Sequence, residues 1–197
     1  PTLHTGLGRV IEHLKTHYPQ YKVAVLTNAT LLGDAQVQAD LARADLVVPS
    51  LDAATPKAFK LICRPAKGID VAAVIDGIVA FRQGFKGLLV LEIFIVQGRN
   101  DSAAELAALK AAALRIAPDA IQLNHLDRPA PEQGLVEPVS PERLVALREF
   151  FAPLQVQTVR ARGADEAAPW DAAGIFREIL AAMEKGAGGR LFPFRPR

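Results

Sequence analysis

Glu92 is the single acid within the apolar run LLVLEIFIV over residues 88–96. A carboxylate among aliphatic side chains is costly unless it is paired or lines a site, and we read it as lining one. The run reads as a strand buried on both faces, and the turn Gly98-Arg99-Asn100-Asp101 marks its carboxyl end. Three more β-rich stretches end in polar tips: LTNAT with Thr27 and Asn28, VVPSLDA with Ser50 and Asp52, and IQLNHLDRP with Gln122, Leu123, Asn124 and His125. In parallel α/β proteins the functional groups gather at the carboxyl ends of strands, so these tips predict one shared site. His125, just past a tip, is the candidate acid or base.

Around the tips, short β-branched strands alternate with helical patterns. Thr5 is expected to cap a helix with Leu7, Val10, Ile11 and Leu14 on its apolar face. Strands are predicted over 22–26, 46–49, 88–96, 121–124 and 156–161. Helices are predicted over 34–42, 56–61, 70–85, 102–116, 141–151 and 169–185. This rhythm predicts an α/β fold with a parallel sheet and right-handed crossovers. Five strands are too few for a closed barrel, so the expected architecture is a partial (β/α) barrel, an open parallel sheet with flanking helices. We place that domain at 1–185 and an irregular tail at 186–197. Neither G-x-G-x-x-G after a strand nor a Walker A motif occurs, which disfavours those nucleotide folds.

The bulk properties narrow the function classes. The chain has 197 residues, enough for one sizeable core, and a net charge of +2, too small to point to nucleic acid. Its one cysteine, Cys63, excludes an internal disulfide framework and any multi-cysteine metal site built from this chain. No apolar run reaches membrane-spanning length and no signal peptide opens the sequence, so a soluble cytoplasmic protein is the expectation. The chain opens at Pro1 without a methionine, and an upstream segment is expected in the intact protein.

Taken in order, the tips resemble those of radical S-adenosylmethionine (SAM) enzymes. Pro1-Thr2-Leu3 resembles the end of the Gly-Glu-Pro-Thr-Leu segment after that family's second strand, and Thr27-Asn28 its third-strand tip. Ser50-Leu51-Asp52-Ala53 resembles the fourth tip, Gly98-Arg99-Asn100-Asp101 the Gly-x-Asn-Asp after the fifth, and Ile121-Gln122-Leu123-Asn124 with Arg128-Pro129 the sixth. The segment from Phe59 through Cys63-Arg64-Pro65 resembles an iron–sulfur oxidoreductase branch akin to pyruvate formate-lyase activating enzyme. The resemblance runs over about residues 1 to 151. It departs at the start, because the Cys-x-x-x-Cys-x-x-Cys that holds a 4Fe–4S cluster is absent from this sequence.

The resemblance implies SAM and a 4Fe–4S cluster as cofactors, and an oxidoreductase that cleaves SAM reductively to a 5′-deoxyadenosyl radical. It implies inactivity for this chain alone. An alternative is a cluster-free ligand-binding or scaffold domain that retains the fold. For SAM, Asn28, Asp52 and Glu92 suit the ammonium and ribose hydroxyls, as do backbone carbonyls at Pro1 and Thr2. Ser50, Gln122, Leu123 and Asn124 complete the cofactor-binding set, with Ile121 and Leu123 expected to flank adenine and backbone groups to read its edge.

Each assignment has a structural counterpart. Ser50 and Asp52 equally suit caps of the helix that follows, and Asn100-Asp101 suits a turn better than a ligand contact. Arg64 and Arg128 are read either as binding an anionic substrate group or as pairing with Glu132 and Glu137. Cys63 is read as a small core residue. His13 and His17 lack the partners of a zinc site, so no metal ligand is expected. The substrate is left unassigned, membrane and nucleic-acid partners are not expected, and an exposed sheet edge beside residues 23–26 is expected to permit self-association.

Overall fold

The computed structural model describes residues 1–126 and 139–158. The elements run α1 (Leu7–His17), β1 (Ala24–Thr27), α2 (Ala35–Leu41), β2 (Leu46–Pro49), α3 (Pro56–Ile62), α4 (Val71–Gly84), β3 (Leu88–Ile95), α5 (Ala103–Ile116), β4 (Ala120–His125), α6 (Pro141–Phe150) and β5 (Val156–Thr158). They belong to one compact unit, Pro1–Val159. The expected helix over 169–185, the tail over 186–197, and Arg128, Glu132 and Glu137 lie outside the described residues.

The strands form one parallel sheet in the order β1-β2-β3-β4-β5. Every crossover therefore steps in the same direction. With constant right-handedness, that places all the connecting helices on one face, as in a barrel wall rather than a doubly wound sheet. The core bears this out. Val25, Val47, Leu89, Leu91, Ile93, Ile121, Leu123 and Val156 form one buried cluster with helix residues such as Ile78, Phe81, Leu109 and Leu147. The α/β partial barrel expected from the sequence is the observed architecture.

Local chemistry explains the helix boundaries. Asp34, Thr55, Asp70, Ser102 and Ser140 sit in extended backbone at the N-caps of α2 to α6, and each side chain accepts a first-turn N–H. Thr5 does not cap α1. Gly6 occupies that position, and its N–H donates to His4 Nδ1 at 2.9 Å. The expected apolar face of α1 is only partly used: Ile11 is buried, whereas Val10 is 54% exposed. Ser50 and Asp52 cap no helix, because Thr55 does so for α3.

Two close approaches fix the packing behind the site. A Cβ on Gly77 of α4 would stand 2.7 Å from the Gly33 backbone nitrogen, and one on Gly87 would stand 2.8 Å from the carbonyls of Ala44 and Asp45. Neither position has room for a larger residue. β1 is an edge strand among the described residues, and Leu26 on it is 58% exposed.

Candidate functional site

Side-chain alternation divides each strand between the helix-covered face and the opposite one. The register pairs Ala24 with Leu46, Leu46 with Leu88, Val90 with Ala120 and Glu92 with Gln122, and bridges Ser50 to Glu92. The face free of those helices therefore carries Leu26 and Asn28, then Val48 and Ser50, then Val90, Glu92 and Phe94, then Ala120, Gln122 and Asn124. Its lower part is apolar and buried at Leu46, Val48, Val90 and Ala120. Its upper rim, at the carboxyl ends of the strands, is polar.

A hydrogen-bonded row crosses that rim. Ser50 Oγ donates to Glu92 Oε2 at 2.7 Å, Asn124 Nδ2 donates to Glu92 Oε1, and Gln122 Nε2 donates to Asn124 Oδ1 at 3.1 Å. Glu92 thus sits between neutral donors from β2 and β4. Asp52, just beyond the β2 tip, accepts the Phe94 N–H through Oδ1 at 2.8 Å. Burial pushes the Asp52 carboxyl up to about 6, with the charge of Glu92 adding to it and the Phe94 hydrogen bond opposing it. Among the described residues, neither carboxylate forms an ion pair.

Beside the row lies a cleft of about 320 Å³ lined by Pro1, Thr2, Leu3, Leu26, Thr27, Asn28, Thr30 and Ser50. Thr2 and Thr27 are buried, with hydroxyls 3.5 Å apart. Asn28 Oδ1 accepts from the N–H and hydroxyl of Thr30, so this residue turns its amide donor outward rather than the acceptor expected. The turn passes through Ala29 at φ 64°, a left-handed conformation seldom taken by non-glycine residues. Pro1, Thr2, Asn28 and Ser50 therefore converge on this cleft, while Glu92, Asn124, Gln122 and Asp52 form the adjoining rim.

Other expected residues fall elsewhere. Leu123 and Ile121 are fully buried on the helix-covered face, so their side chains cannot flank a ligand on the opposite one. His125 is in register with Ile95, on the parity opposite to Glu92, and its Nδ1 lies 3.1 Å from the Leu126 carbonyl oxygen. Arg64 is exposed in the α3–α4 connection at φ 45° and makes no ion pair with the described residues. Cys63 is the C-cap of α3 and exposed, not a core residue. Burial of its thiol pushes its pKa up to about 11, with Asp52 and Glu105 adding to the effect. His13 and His17 stack with centroids 4.2 Å apart, and no metal-binding cluster occurs among the described residues.

Three residues that sequence reasoning missed or undervalued border the rim or support it from behind. Phe94 lies half-buried on the Glu92 face, in register with Asn124. Asn100, fully buried, donates to the Asp52 and Phe94 carbonyls, each at 2.7 Å, and accepts the Val96 N–H. Glu105 of α5, also buried, accepts from the Ala54 and Thr55 N–H groups and the Thr55 hydroxyl.

No family model matches the chain. A GTPase Obg of Brachyspira hyodysenteriae is 40% identical over 123 residues, which is 62% of this chain and 18% of that protein. A UPF0026 protein of Synechocystis is 38% identical over 70% of this chain and 51% of its own length. A UPF0026 protein of Helicobacter pylori is 31% identical over 94% and 58% respectively. The chain thus spans about half the length of these UPF0026 relatives, and much less of the Obg protein. Among solved structures, a domain of pyruvate-formate lyase-activating enzyme from Bacteroides vulgatus superposes with TM-score 0.60 at 18% identity, covering 81% of this chain and 94% of that one. A radical SAM methyltransferase from Sphaerobacter thermophilus gives TM-score 0.65 at 16% identity, covering 81% and 48%. The chain therefore carries the partial (β/α) barrel fold of radical SAM enzymes.

Proposed function

We propose that this chain is the SAM-binding, substrate-facing part of a radical SAM iron–sulfur oxidoreductase. The observation that carries the reading is the polar rim itself. Two acids, Glu92 and Asp52, stand at adjacent strand tips with neutral hydrogen-bond partners and no ion pair among the described residues. A SAM ammonium or a pair of ribose hydroxyls is the complement to such a rim. Asn28, with its amide donor outward, suits a ribose oxygen or the SAM carboxylate. Phe94, rather than Ile121 or Leu123, offers adenine a flat apolar surface.

The cluster is a different matter. Three thiolates hold a 4Fe–4S cluster in such enzymes, and the single cysteine here is exposed at the end of α3. This chain's residues do not fit that group, and its ligands are proposed to lie in an upstream segment of the intact protein. An activase of a glycyl-radical partner is the specific activity that the resemblance favours. Among the described residues, no helix is long and apolar enough to cross a membrane, and we propose a cytoplasmic location.

The test is calorimetric titration of the folded chain with SAM. Saturable binding is expected, weakened about tenfold by Glu92→Gln, the worth of one charge-assisted hydrogen bond. A folded chain that takes up no SAM at millimolar concentration overturns the SAM-site reading. A second reading is a cluster-free ligand-binding or scaffold domain, which the absence of a cysteine triad from the upstream part of the intact protein would favour. Anaerobic iron–sulfide reconstitution of the intact protein separates the two, because only the oxidoreductase then releases 5′-deoxyadenosine when reduced in the presence of SAM.

A further inference from the structure

The connection that carries one of the rim's acids, Asp52, is held by residues that do not face the cleft. Asp52 lies in the short connection between β2 and α3. Two side chains that follow β3 in the chain hold that connection. Asn100 reaches back from the β3–α5 turn, and its Nδ2 spans the carbonyls of Asp52 and Phe94 while its Oδ1 takes the Val96 N–H. All the hydrogen-bonding capacity of that amide, short of one lone pair, is spent on joining the β2 tip to the β3 tip. Glu105 grips the same connection two residues further on, at Ala54 and Thr55. Both side chains are almost fully buried, so neither is a candidate to touch ligand.

We infer that Asn100 and Glu105 are positioning residues that press the Asp52 connection against β3 and thereby set how tightly the rim holds an ammonium-bearing ligand. The inference rests on the reading of the rim as a SAM site. The clamp fixes Asp52 where one carboxylate oxygen is taken by Phe94 N–H and the other accepts no hydrogen bond from the described residues. Among the described residues, the titratable groups that act on Asp52 or share its surroundings are Glu92 on β3, Cys63 at the end of α3 and Glu105 of α5. None of them is a cation. Loosening the clamp lets water reach the carboxyl, so its midpoint falls toward that of an ordinary aspartate, and the preformed acceptor is lost.

The experiment follows the Asp52 carboxyl by carbon-13 NMR through a pH titration of the ligand-free chain, alongside SAM affinity by calorimetry from pH 5 to 8. It compares the unmodified chain with Asn100→Ala and the milder Glu105→Gln. In the unmodified chain, SAM affinity is expected to rise with pH through the Asp52 midpoint. In either variant that midpoint is expected to drop, the rise in affinity to move with it, and the dissociation constant at pH 7 to grow about tenfold, as for one lost charge-assisted hydrogen bond. Folded variants with unchanged midpoint and affinity overturn the inference. If Asn100→Ala does not fold, Glu105→Gln decides alone. A midpoint that moves in a chain that binds no SAM, even unmodified, upholds the clamp and refutes the SAM-site reading.

Discussion

The two ends of the sheet use the same hydrogen bond for different ends. At the amino-terminal end, Asp45 accepts the Val23 N–H at 2.7 Å and Asp119 accepts the Leu89 N–H at 2.7 Å, each reaching across to a neighbouring segment. At the carboxyl end, Asp52 reaches across to Phe94 in the same manner. The difference is the counter-charge. Lys15 and Lys22 pair with Asp45, and Arg82 grips Asp119 through two nitrogens at 2.8 and 3.0 Å. Among the described residues, the rim acids receive only neutral donors. An acid supplied with its own cation stabilises the fold, and an acid left without one stays available to a ligand.

Breaking the amino-terminal clamp should have the largest effect. Asp119→Ala removes a bidentate partner from Arg82 and strands the Leu89 N–H. We expect a loss of about 2–3 kcal/mol in urea unfolding, with the variant's midpoint shifted and its slope unchanged.

The pH dependence of stability should divide the two ends by sign. Burial opposes the charge on Asp45, but its hydrogen bonds from Lys15 and Val23 and the two lysine charges outweigh that and hold its pKa below the ordinary value. Its contribution is therefore present above that ordinary value and is lost as pH falls through the depressed one. Asp52 runs the other way. Its folded pKa of about 6 lies above the ordinary 3.8, so its contribution is fully present at low pH and is lost as pH rises through 6. Asp52→Asn should then make the ligand-free chain more stable at pH 8, by on the order of 2 kcal/mol, with little change at pH 4. Thermal unfolding at the two pH values measures this, and a destabilised variant at pH 8 would contradict the contrast.

The smallest effect is expected at Cys63. Although the residue is exposed overall, partial burial of its thiol, with the charges of Asp52 and Glu105 adding, pushes the pKa up to about 11, so iodoacetamide should alkylate it slowly at pH 8 and faster as pH approaches 11. Cys63→Ser should alter stability by less than about 0.5 kcal/mol. Rapid alkylation at pH 7 would mean that partial burial and the charges of Asp52 and Glu105 do not hold this thiol protonated.

Most of the fold was legible because its signals are local. Strand tips, caps such as Asp34 and Ser102, and the lone acid in β3 all lie within a few residues of the pattern that reveals them. Glu105 shows where that stops. Ser102-x-x-Glu105 has the spacing of a capping box, and Ser102 does accept the Glu105 N–H. The glutamate, however, spends its carboxylate on Ala54 and Thr55, partners that no local pattern names. Cys63 was misread for a similar reason, since a helix end and the core are equally hospitable to a small residue. Leu123 is a different lesson. Strand alternation already forbids it from sharing a face with Gln122 and Asn124, so once those two are assigned to the rim, Leu123 belongs to the core. Phe94 then follows from the same parity, two residues beyond Glu92.

The strictly sequential strand order has a mechanical meaning. Each strand pairs with the one before it in the chain, so Ala24 meets Leu46 and Val90 meets Ala120 without any later segment threading between them. Among the described strands, such an order is suited to assembly by accretion, each βα unit docking on its predecessor during synthesis. Pulled from one end it would peel strand by strand, and the rim would come apart with it, one acid at a time.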